Sequence, residues 1–142
     1  MARFISKNDI NNEVRKCLHI QKKALPHHQN LPANSDERKY YVDSKEISFV
    51  FEKEMVLQLL NRPGTKYLRV YYGALDKDDP KHPTNPNFKK GRPTVILMAA
   101  KDGSYINILD PTGGGNDGLQ WPEGLPPKGD DTTFDASDDP GY

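Results

Sequence analysis

Apolar residues first recur at helical spacing. Ile10, Val14, Cys17, Leu18 and Leu25 fall on one stripe of a helix. Ser6 stands at the N-cap position with Asp9 at N3, a shortened capping box, and Ile5 and Ile10 are placed for a hydrophobic staple. Arg15, Lys16, Lys22 and Lys23 lie largely off the stripe, and Pro26 ends it. The pattern predicts a helix over about residues 7–24. Residues 26–39 read as a loop. From Glu46 to Phe51 the period changes to two, with Ile47, Phe49 and Phe51 on one side, which is a strand pattern. Met55, Val56, Leu59 and Leu60 return to the helical period and predict a short helix over about residues 52–61, stopped by Arg62-Pro63-Gly64.

Two strong strand patterns follow. Tyr67 to Gly73 is dense in β-formers, with Leu68, Val70 and Tyr72 expected to face the core and Tyr67, Arg69 and Tyr71 the other way. Thr94 to Ala100 is apolar on both faces, as a central strand should be. Lys101-Asp102-Gly103-Ser104 supplies a hairpin turn, and Tyr105 to Leu109 the return strand. These elements predict an α+β domain over residues 1–110: a small antiparallel sheet of about four strands packed against two helices. Residues 111–142 form an irregular tail in which seven Gly and five Pro interrupt any period. The connection at residues 75–91 far exceeds an ordinary hairpin loop and is a candidate functional loop.

The run Leu68-Arg69-Val70-Tyr71-Tyr72-Gly73, a polar spacer, and Pro93-Thr94-Val95-Ile96-Leu97 resembles a pattern in small uncharacterised proteins of Bacteroidota-type bacteria. Those proteins place an Arg-Ile-Tyr-Phe-Gly-like strand before a Thr-Leu-Ile-Leu-Val-like strand. The resemblance covers about residues 45–110, implies a bacterial source, and brings no catalytic residues with it.

Charge sharpens the division between body and tail. Lys+Arg and Asp+Glu each number 20 in the 142 residues. The stretch 102–142 holds nine acids and one base, Lys128, a net of −8, so residues 1–101 carry +8. A basic body with an acidic tail points to a partner for each, either an outside molecule or the other half of the chain. The lone Cys17 builds no internal disulfide. The first residues hold no apolar stretch of the secretory kind, and no apolar run reaches the roughly 18–20 residues of a membrane span. A cytoplasmic protein with no membrane association is expected.

Candidate chemistry is sparse. His19, His27, His28 and His82 show no zinc spacing, and Cys17 and His19 point about 200° apart on a helix, so surface histidines and a packed Cys17 are expected, with no metal. There is no Gly-x-Ser-x-Gly, no His-Glu-x-x-His and no phosphate-binding loop, so no catalytic residue and no cofactor is expected. Asp76, Asp78 and Asp79 read as solvated loop carboxylates rather than a calcium loop.

The leading function is therefore a non-catalytic protein-interaction module. Its tail anchors are Leu119, Trp121 and Leu125, spaced in a Pro/Gly-rich acidic segment that could dock on another protein or latch onto its own domain. On the body, Arg69, Tyr71, Lys89, Lys90 and Arg92 are the candidate contacts, and the partner is a protein or a second copy. The alternative is a small enzyme or ligand-binding domain with its site under the 75–91 loop near Arg69, Tyr71, His82, Lys89 and Arg92. Nucleic-acid binding through Tyr67, Arg69, Tyr71 and the loop lysines ranks third, because no RNA-module signature accompanies them.

Overall fold

Three helices precede a three-stranded sheet in the computed structural model, which describes residues 2–42, 48–85, 88–102 and 105–120. Helix α1 spans Lys7–Ala24. Its predicted cap is formed: Ser6 Oγ accepts the Asp9 amide at 3.1 Å and donates to the Asp9 carboxylate at 2.9 Å. Pro26 turns the chain into a 3-10 segment, Leu25–His28.

Helix α2, Asp36–Tyr41, lies in the stretch expected to be loop. Ser35 Oγ accepts the Arg38 amide at 3.2 Å, and Asp36 and Glu37 sit in the first turn, where carboxylates favour the helix dipole. Helix α3, Lys53–Leu60, matches the second predicted helix.

The sheet has strand order β1-β2-β3, with β1 at Thr65–Ala74, β2 at Pro93–Lys101 and β3 at Leu119–Gln120. β1 and β2 are antiparallel, with Leu68 opposite Ala99, Val70 opposite Leu97 and Tyr72 opposite Val95. β2 is central, as its two-sided apolar pattern implied. On the inner face α3 meets all three strands, and Leu59, Val95, Leu97 and Ala99 form the core, joined by Phe49, Phe51, Val56, Ile108 and Leu119.

The sheet departs from four strands in three places. Residues 48–51 make no ladder; Phe49 and Phe51 pack into the core from irregular chain, and Glu52 already caps α3. Residues 43–47, with Ile47, lie outside the described residues. The return from the predicted hairpin, whose turn residues 103–104 are also outside the described set, makes one bridge, Ala100 with Asn107. Tyr105 there holds a φ of 51°, in the left-handed region, which interrupts extended pairing. The third strand comes instead from beyond residue 110, where Leu119 pairs with Leu97.

The helices also depart from a two-helix layer. α3 lies on the sheet, whereas α1 rests against the 3-10 segment and buries none of its residues. Its stripe is only partly covered, with Val14, Leu18 and Leu25 half-buried. Ile10 is exposed, and so is Cys17, which was expected to be packed. No helix among the described residues is long and apolar enough to cross a membrane.

Candidate functional site

The predicted body residues separate into two places. Arg69 and Tyr71 stand on the outer sheet face with Tyr67, away from α3. Arg69 Nη1 donates to Asn107 Oδ1 at 3.0 Å and to the Tyr71 hydroxyl at 3.3 Å. Asn107 Nδ2 donates to the same hydroxyl at 2.9 Å. The hydrogen bonds from Asn107 and then Arg69 lower the Tyr71 pKa, because both stabilise the phenolate. Tyr67 is shifted the other way, first by the charge of Asp102, to which its hydroxyl donates at 3.4 Å. Tyr67 and Tyr71 are 42% and 39% exposed, so this face remains open. It presents a braced cation beside aromatic edges.

The loop residues are occupied in holding the loop. Lys89 Nζ donates to the Pro83 carbonyl at 2.6 Å and pairs with Asp78 at 3.5 Å. Asp78 also accepts the Lys90 amide at 2.8 Å, the first cause of its lowered pKa. Lys90 pairs with Asp36 at 3.6 Å, tying the loop to α2. Next to it Gly91 holds φ +89°, and a Cβ there would come within 3.0 Å of the Asp36 backbone, so the junction requires glycine. His82 lies 4.1 Å ring to ring from the buried Phe88. Arg92 is 7% exposed and faces inward, so it is not presented at the surface. The carboxylates Asp78 and Asp79 accept loop amides, as structural carboxylates do.

A cleft of about 1050 Å³ does open beside the loop, on the α3 side. Its walls are α3, residues 75–80 and the chain from Asp110 to Gln120, and none of Arg69, Tyr71, His82, Lys89 or Arg92 lines it. Arg62, at the end of α3, is the residue that shapes it and that local pattern did not reveal. Its guanidinium donates to the carbonyls of Ile108 at 3.3 Å, Asp117 at 3.2 Å and Asn116. Asp110 closes the same segment on itself. Its carboxylate accepts from Thr112 Oγ1 at 2.7 Å, the Thr112 amide at 2.9 Å and the Asn116 amide at 3.2 Å. These bonds, the Thr112 hydroxyl first, lower its pKa to about 2.

Among the described residues no three His, Cys, Asp or Glu side chains gather as a metal site. Of the tail anchors, Leu119 is half-buried against the core, while Trp121 and Leu125 lie outside the described residues. No protein-family model, no curated protein and no solved structure matches the chain.

Proposed function

We propose that this chain is a non-catalytic protein-interaction module whose acidic C-terminal segment docks on a protein surface, its own basic body in the first instance. The observation that carries this reading is the placement of Leu119. The first of the tail's apolar anchors is built into the sheet opposite Leu97 and packs on the core. The segment is thus tethered at the sheet's far edge, with Trp121 the next residue after β3. Residues 121–142 carry six acids against Lys128, a net of −5, opposite in sign to the +8 of residues 1–101. Tethering raises the local concentration of such a segment to about the millimolar range, so weak apolar and charge contacts suffice for docking. On the body, the half-buried Arg69 and the exposed Tyr71 beside it are the pair suited to such contact.

A chain shortened after Gln120 keeps β3 and tests the reading. The shortened protein should unfold at lower urea than the full chain, and the difference should shrink in high salt as charge attraction is screened. Equal stability, equal oligomeric state and equal partner binding in the two chains would sink the proposal. A second reading, a ligand-binding domain, is favoured by the cleft beside Arg62 and uses other residues than those first singled out.

A further inference from the structure

We propose that β1 pairs with β1 of a second copy of this chain, antiparallel about a twofold axis at Val70, so that two three-stranded sheets join into one of six strands. β1 is ten residues long, lies at the edge of the sheet, and among the described residues has no partner on its open side. Natural edges of this length are usually blunted by proline, by charge or by bulges. β1 contains no proline, and its register irregularity falls between Thr65 and Tyr67, at one end. Its charges are Lys66 beside that irregularity and Arg69. From Tyr67 to Ala74 the edge is regular.

The hydrogen-bond phase shows which residues offer their backbone to a newcomer. Ala99 accepts the Ile108 amide at 2.8 Å, so its carbonyl points away from β1. Leu68 sits opposite Ala99, and in an antiparallel ladder both members of such a pair turn their backbone groups away from each other. The far end gives the same phase. Leu75 donates to the Arg92 carbonyl and accepts the Gly91 amide, each at 2.8 Å, so its groups point toward β2. By alternation Leu68, Val70 and Tyr72 present their N–H and C=O groups at the open edge.

A second β1 must match outward residues with outward residues. Two twofold registers do so with the greatest overlap, one centred on Arg69 and one on Val70. The first sets Arg69 against its own copy, a like-charge pair. The second sets Val70 against Val70, Leu68 opposite Tyr72, Arg69 opposite Tyr71 and Tyr67 opposite Gly73. No like charges meet in it. Arg69 gains a second tyrosine face beside the one it already approaches at 5.9 Å, and the Tyr67 ring covers the bare glycine. On the inner face, Leu68, Val70 and Tyr72, which are 43%, 53% and 87% exposed, join their counterparts in a continuous apolar row. The surface is self-complementary, as an isologous twofold contact requires.

This contact uses the edge of β1 and not the acidic segment, so it gives substance to the interaction reading yet stands or falls separately. The test is the mass of the full chain in solution over a concentration series, by light scattering or sedimentation. The wild type should approach about 32 kDa, twice the chain mass of 16.1 kDa. Val70→Lys places two ammonium groups at the axis, and Val70→Pro removes an amide donor that only the second copy uses. Both variants should remain at 16.1 kDa with an unchanged circular dichroism spectrum. Val70→Lys, at a half-exposed position, decides the matter if the proline disturbs the strand. A wild type that stays monomeric up to millimolar concentration, or a Val70→Lys variant that dimerises equally well, overturns the proposal. A chain ending at Gln120 should still dimerise, which separates this contact from docking of the acidic segment.

Discussion

Leu97→Ala should destabilise the fold by about 2–5 kcal/mol, the range for truncating a leucine in a core that cannot close the gap. Leu97 is 6% exposed and sits at the centre of β2, between Val70 on one side and Leu119 on the other. The buried hydrophobic set among the described residues is small: Leu59, Phe88, Val95, Leu97, Ala99 and Ala100. A domain of this size holds only about 5–15 kcal/mol in total, so this one change removes a large share. Urea unfolding followed by circular dichroism measures it. Leu109→Ala, at a position off the sheet and 59% exposed, serves as the control and should cost well under half as much. Equal costs at the two positions would mean that the inner face of the sheet is not where the core lies.

Arg62→Ala comes next, with an expected cost of about 2–4 kcal/mol, since hydrogen bonds from a charged donor contribute more than neutral ones. The guanidinium is the link between the end of α3 and the chain that delivers β3. Without it the carbonyls of Ile108, Asn116 and Asp117 lose their common donor, and amide exchange from Asp117 to Gln120 should speed up. Arg62→Lys should recover only part of the loss, because a single ammonium cannot reproduce the planar fork. Acid should loosen the same segment by another route. The folded pKa of Asp110, about 2, lies below its ordinary value of 3.8. Its carboxylate therefore supports the fold above roughly pH 4, and that support is lost as pH falls toward 2. If Arg62→Ala left both the unfolding midpoint and the exchange rates unchanged, the link would be incidental.

The sequence revealed those elements whose signals are local. The Ser6–Asp9 cap and the stripe behind it placed α1, and the two-sided apolar run from Thr94 to Ala100 placed the central strand. α2 carried its own N-terminal signal in Ser35, Asp36 and Glu37, but it is short and lacks an apolar period. β3 was hidden for a different reason. Two residues carry no period, and Leu119–Gln120 becomes a strand only because Leu97 and Ile96 lie beside it. The candidate site divides in the same way. Arg69 and Tyr71 were visible as a cation and an aromatic on one strand face. Asn107, which braces them, reaches that face through a return chain that pairs at a single bridge. Arg62 has its role from carbonyls 46 to 55 positions away, and no local spacing shows that.

The chain carries its own probe of whether the acidic segment docks. Trp121 is the single tryptophan, the first residue beyond β3. Fluorescence of the full protein, excited at the indole band and titrated with acrylamide, reads its surroundings directly. Docking predicts a native emission shifted to the blue of free indole and weakly quenched, with both properties lost in urea and after charge reversal of Asp130, Asp131 and Asp135. A native emission at the free-indole position, quenched as readily as in urea, would show that the segment does not dock.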